Sequence, residues 1–172
     1  MNKLQMKLCG DLILREKCAP VDDIFKFTDI MNKMVDMMDE QRGVGLAAPQ
    51  VGIPYRFIVI KEVKNRKDPG IVYKMINPRI LSKSEKTCVI EEGCLSVLGP
   101  DNLPVYADVQ RPESIVAEWM DENGKKYKKE LSGYFARTFQ HEVDHLDGIL
   151  FIDYLPDVKR EMVMRKVRKR KM

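Results

Sequence analysis

His141 and His145 are the only histidines in the chain, and they stand four residues apart in Gln140-His141-Glu142-Val143-Asp144-His145-Leu146. On a helix, side chains at that spacing project about 40° apart and one turn removed, so both imidazoles reach a single cation at ~2 Å. Glu142 completes an H-E-x-x-H pattern, in which a carboxylate takes a proton from an attacking water and returns it to the leaving amine. The chemistry is metal-assisted hydrolysis of an amide, with Glu142 as general base and then acid. The bland alternative, two core histidines, would give this spacing followed by Glu on the order of once in a thousand.

Two imidazoles leave such a site one ligand short. In the extended H-E-x-x-H-x-x-G-x-x-H pattern the third ligand position is occupied by Phe151, although Gly148 fits. The one later Glu, Glu161, sits among Lys159, Arg160 and Arg165, so the ligand is sought upstream. Cys94 is the candidate: Gly93 lets the backbone turn tightly around it, and a thiolate beside two imidazoles leaves one position open for water. Cys9, Cys18 and Cys88 lack that setting, and a lone Cys is by itself more often a small buried hydrophobe. A thiolate with two imidazoles suits zinc, iron(II), cobalt or nickel.

The helix that carries the histidines must be held from its other side. Phe135, Phe139, Val143 and Leu146 form a stripe centred about 200° from the histidines, with Ser132 as N-cap and an end near Gly148. Upstream, Phe57 to Ile60, Ile71 to Ile76 and Thr87 to Ile90 read as short strands between turn signals. Ser114 to Met120 and Lys126 to Leu131 flank Asp121-Glu122-Asn123-Gly124, a hairpin with Asn and Gly available for positive φ. Thr28 is placed to cap an earlier helix running to about Arg42, with Ile30, Met34, Met37 and Met38 as a core stripe and Gly43 ending it. Strands followed by a helix predict an α+β fold: antiparallel sheets around a central metal-binding helix, with one helix in the N-terminal half and one at the C-terminus.

With 172 residues, 44% of them hydrophobic, the chain has the size and composition of a folded domain with one core, not of a disordered segment. No apolar run approaches the roughly 20 residues of a membrane span, and Met1 to Leu8 lack a signal-peptide core. Four scattered cysteines without CxxC pairing predict reduced thiols in a cytoplasmic setting. The net charge of +4 is uneven: residues 157–172 hold eight Lys or Arg against two acids, so the remainder stands at 4 − 6 = −2. We therefore divide the chain into a catalytic domain, residues 1–156, and a basic helical tail, residues 157–172, on which Met162, Val163, Lys166 and Lys169 sit. That tail has the charge to dock on ribosomal RNA, although a solvated terminus would look the same.

Three segments in order, Gly43-Val44-Gly45-Leu46-Ala47-Ala48-Pro49-Gln50, Glu92-Gly93-Cys94-Leu95-Ser96 and Gln140 to Leu146, resemble the signature segments of peptide deformylase, and the likeness spans nearly the whole chain. The resemblance implies removal of the N-formyl group from the initiator formyl-methionine of new polypeptides, with release of formate. It implies one divalent ion, iron(II), with zinc, nickel or cobalt as substitutes, on Cys94, His141 and His145. It also implies that Gln50 and the Leu95 N–H steady the oxyanion, donors typically worth a few kcal/mol each. Substrate backbone would pair with Gly45, and Glu92 and Arg111 would lie near it. Tyr134, Arg137 and Thr138, one and two turns before His141, would wall the methionine pocket with Ile90. A monomer is expected. The chain departs from the family pattern between Val97 and Asp108, where Leu98 replaces a usual Pro and the stretch before Arg111 is longer.

An ordinary zinc endopeptidase and a non-catalytic RNA-binding protein are the rival readings. Phe151 and Cys94 oppose the first; the presence of both Glu142 and Gln50 opposes the second.

Overall fold

Phe57, Ile58, Val59 and Ile60 are all fully buried, a continuous apolar run that implies a strand covered on both faces. The computed structural model, which describes residues 4–63 and 68–170, shows what covers it. The elements run α1 (Thr28–Glu40), β1 (Gly45–Ala47), β2 (Phe57–Glu62), β3 (Ile71–Lys83), β4 (Thr87–Leu98), β5 (Pro104–Pro112), β6 (Ser114–Met120), β7 (Lys126–Ser132), α2 (Gly133–Leu146) and α3 (Asp157–Arg168). One sheet has the order β1-β2-β3-β6-β7, while β4 and β5 form a separate ribbon. All the pairings between these strands are antiparallel.

Alternation along β2 divides the core. Ile58 and Ile60 pack with Phe139, Val143 and Leu146 of α2, whereas Phe57 and Val59 pack with Met31, Met34 and Met38 of α1. A third cluster, including Cys94, Val97, Val105, Phe151 and Val163, lies under the ribbon. Thus α2 has the five-stranded sheet on one side and the β4–β5 ribbon on the other. The α+β architecture expected from the sequence is the one present.

Several details differ from the sequence reading. Thr28 does not cap α1: a 3-10 turn, Ile24–Phe27, held by Asp23 accepting from the Phe25 N–H, runs directly into the helix. Thr28 is therefore already helical, and its hydroxyl is buried without a hydrogen-bond partner among the described residues. The buried stripe of α1 is Met31, Met34 and Met38, a register that leaves Ile30 and Met37 at its margin. Strand β3 continues past Ile76 because Asn77 takes φ 50° and a register shift absorbs Pro78; the Asn77 amide exchanges two hydrogen bonds with the Val21 backbone. Strand β4 runs through the Cys94 segment, and β5, not foreseen, pairs with it. At the hairpin, Gly124 but not Asn123 takes positive φ, and Asp121 accepts from the N–H groups of Asn123 and Lys125. The tail is not a frayed terminus: Val163 of α3 is 6% exposed within the third cluster.

Candidate metal centre

Because Phe139, Val143 and Leu146 fix α2 to the sheet, His141 and His145 turn toward β4, where Cys94 meets them. One ligand atom from each of Cys94, His141 and His145 lies within 4.8 Å of the other two, and Cys94 Sγ stands 3.3 Å from His145 Nε2. Among the described residues no other three His, Cys, Asp or Glu side chains converge in this way. Burial would lower both imidazoles, and it takes His145 well below its ordinary range, with the charges of His141 and Arg111 adding to the effect. For His141, hydrogen bonds with Cys94 and Glu92 outweigh burial and raise it well above that range. The sulfur and nitrogen donors of the cluster fit a soft or borderline divalent ion.

Behind the ligands lies a buried charge network. His141 Nδ1 is 3.0 Å from Glu92 Oε2, which leaves Nε2 for the cluster. Arg111 grips Glu92 through Nε at 2.6 Å and Nη2 at 3.0 Å, and donates from Nη1 to Asp144 at 2.6 Å. Arg137 Nη1 adds a bond to Glu92 at 2.6 Å and another to the Val109 carbonyl at 3.0 Å. Burial alone would raise Glu92, but hydrogen bonds from His141 and Arg111 outweigh it and bring the carboxyl down to about 2. Two carboxylates and two guanidiniums balance, a condition for burying any of them. His145 has no such support: its Nδ1 is buried with no hydrogen-bond partner among the described residues.

Glu142, 4% exposed, lies against the backbone of β1. A Cβ built on Gly45 would stand 2.3 Å from Glu142 Oε1, so only glycine leaves room for this carboxylate. Burial, reinforced by the charges of Glu92 and Asp144 against those of His141 and Arg111, pushes Glu142 up to about 7. A carboxyl so placed both accepts and releases a proton near neutrality. Its Oε2 has no partner among the described residues.

Gln50 is oriented by its own neighbourhood. Oε1 accepts from the Ala47 N–H at 2.8 Å, which turns Nε2 toward Ser96 Oγ at 3.0 Å and Cys94 Sγ at 3.5 Å. Leu95 falls where the β4–β5 register lapses between Gly93 and Leu98, so its N–H stands outside that ladder. Both groups border a cleft of about 360 Å³. Among the described residues strand β1 is the outer strand of its sheet and β4 has a single partner, and residues of both border the cleft, so two strand edges frame it.

Of the expected residues, Gly45, Glu92, Cys94 and Glu142 border this cleft, as do Tyr134, Arg137, Thr138 and His141. Ile90 does not: two residues before Glu92 places it about 7 Å further along the strand, 37% exposed. Arg111 also does not border the cleft and is not an exposed strand residue, being 2% exposed behind Glu92. Sequence reasoning missed Asp144 and Tyr154, whose hydroxyl donates to Asp144 while its ring lies 4.7 Å under Arg111. It also gave no role to Ser96. The signal for Asp144 was its place between the two histidines, where a buried acid requires a cation.

A family model described as polypeptide deformylase matches residues 4–161. A peptide deformylase of Endomicrobium trichonymphae is 43% identical over 172 residues, covering 99% of this chain and 97% of that protein. One from Rhizobium meliloti is 41% identical over 162 residues, covering 92% and 88%. Among solved structures, peptide deformylase from Ehrlichia chaffeensis in complex with actinonin superposes with a TM-score of 0.88 at 32% identity, covering 98% of each chain. The enzyme from Thermus thermophilus gives 0.82 at 43% identity, covering 95% and 92%.

Proposed function

The chain belongs to the polypeptide deformylase family and is a metal-dependent hydrolase that removes the N-formyl group of newly made polypeptides; from that premise we propose the part each residue plays. The observation that carries the reading is the convergence of Cys94, His141 and His145, with Cys94 and His141 bordering the same cleft as Glu142 and Gln50. Cys94, His141 and His145 hold the ion, for which we take iron(II), with zinc, nickel and cobalt as substitutes. A divalent ion held there supplies positive charge that polarises the formyl oxygen and acidifies water.

Glu142 removes a proton from the water that attacks the formyl carbon and then delivers it to the amine nitrogen, as the C–N bond breaks and formate leaves. Gln50 Nε2 and the Leu95 N–H donate to the oxygen that gains charge in the transition state. Ser96 holds Gln50 in place for this. The peptide backbone joins the edges of β1 and β4 beginning at Gly45, which makes recognition largely independent of side chains. Tyr134, Arg137 and Thr138 receive the methionine side chain, while Glu92 and Arg111 act through His141.

We place the enzyme in the cytoplasm as a monomer, with residues 1–156 catalytic and the basic tail docked on ribosomal RNA. No described helix is long and apolar enough to cross a membrane. Because Val163 belongs to the core, deletion of the tail would unfold part of the protein. Neutralising exposed Lys159, Arg165 and Lys166 is the cleaner probe: ribosome co-sedimentation should weaken, and unchanged binding would defeat docking.

The proposal for the ion is tested on protein purified without oxygen and assayed with formyl-Met and acetyl-Met peptides while bound metal is measured. Formate release should track iron content, with the acetyl peptide intact. Cleavage of unformylated peptides would point to an endopeptidase instead.

A further inference from the structure

The segment that departs from the family pattern forms one rim of the cleft. After Val97 the chain makes a turn in which the Gly99 N–H donates to the Leu103 carbonyl at 2.9 Å and the Asn102 N–H to the Gly99 carbonyl at 3.1 Å. Asn102 takes φ 59°. Leu103, Pro104 and Tyr106 thereby reach the cleft. Leu103 is 61% and Tyr106 56% exposed, and the Tyr106 ring lies over Gly93, where a Cβ would meet it at 2.5 Å. Both side chains thus present apolar surface to the open cleft.

This turn rests on the C-terminal helix. Val97 and Val105, which flank it, share a buried cluster with Val163 of α3, and Val167 packs against the same cluster. At the tip, Arg170 Nε donates to Asn102 Oδ1 at 2.8 Å. The turn therefore meets the helix at both stems and the residue two beyond the helix, Arg170, at its tip.

We propose that Leu103 and Tyr106 form a selective wall for apolar side chains downstream of formyl-methionine, and that α3 and the Arg170 that follows it, through its bond to Asn102, are the seat that sets its position. The inference rests on the peptide running through this cleft between β1 and β4. Backbone pairing at Gly45 takes the first residues irrespective of side chain; the wall adds selection beyond them. Arg170 and Asn102 touch no substrate and are positioning residues.

The test compares kcat and KM for formyl-Met-Ala-Ser and formyl-Met-Leu-Tyr on the metal-loaded enzyme and its variants. Leu103 is exposed, so Leu103→Ser should fold. It should reduce the preference for the Leu-Tyr peptide about tenfold, through KM and not kcat, the low end of what an apolar contact discriminates. Asn102→Gly, which tolerates φ 59°, should reduce it about twofold, and Arg170→Ala likewise. The double variant should go no further, since the two act through one bond. Asn102→Asp keeps an acceptor for Arg170 and should retain the preference. An unchanged ratio in Leu103→Ser, or an equal loss on both peptides, overturns the wall. Additive losses from Asn102→Gly and Arg170→Ala overturn the seat. Absence of formate from either peptide in the unaltered enzyme would instead overturn the deformylase reading itself.

Discussion

The five-stranded sheet receives α2 through Ala136, Phe139, Val143 and Leu146, whereas the β4–β5 ribbon receives the same helix through Glu92, Arg111 and Arg137. Apolar contacts are non-directional and sum with area, so the sheet side supplies stability and fixes which way the helix faces. Charged contacts in a dry interior have demanding geometry and little net stability. On the ribbon side they set the angle of His141 through its bond to Glu92. One face of the helix holds it in place; the other aims its ligands.

The largest expected effect lies on the charged face. Glu92→Ala would leave two buried guanidiniums short of a partner and should cost about 3–5 kcal/mol in denaturant unfolding. Glu92→Gln, which keeps the shape, should fold yet bind metal roughly 10–100-fold more weakly. Undiminished affinity there would mean that the ribbon aims nothing. Next comes the point where the two regions meet: Gly45 belongs to the apolar sheet but faces Glu142. Gly45→Ala should displace the carboxylate and lower kcat by about 100-fold, with metal content intact.

On the apolar face the expectation is smaller and of another kind. Ile58→Val should cost about 0.5–1.5 kcal/mol and leave kcat/KM per folded molecule as it was; a change in metal affinity would blur the contrast. Smallest is an outlying ion pair beneath the ribbon, Arg15 with Asp153. Burial would raise Asp153, but hydrogen bonds from Arg15 and the Leu150 N–H outweigh it and lower its pKa. Its contribution is therefore present above the ordinary carboxylate range and lost as pH falls through the lowered value. Asp153→Asn should cost about 0.5 kcal/mol at neutral pH, and the gap to the unaltered protein should close in acid.

The apolar face was legible in the sequence because helical period and burial act locally: Phe139, Val143 and Leu146 point one way by spacing alone. The ligand helix and its two histidines were legible for the same reason, aided by the scarcity of histidine, whereas Cys94, on β4, was reached only by asking for a third donor. The charged face was not. Arg111 and Asp144 are 33 residues apart, and no local pattern tells an arginine that pairs inside from one that solvates a strand. Strand β5 went unseen because prolines stand at both its ends, Pro104 and Pro112, and Arg111 puts a charge on the buried phase of its alternation. Thr28 misled because a cap and a first helical residue differ only in what precedes them.

The central claim is that Glu142 moves the proton while Cys94, His141 and His145 hold the ion. Glu142→Gln separates the two: it keeps the size of the side chain but cannot accept the proton. The decisive measurement is formate release from a formyl-Met peptide by the unaltered and Glu142→Gln proteins, both loaded anaerobically and with bound metal quantified in the same samples. The expected result is equal metal content with formate release lowered by at least about 100-fold in the variant. Equal release from both proteins, or none from the unaltered protein at any metal loading, would contradict it.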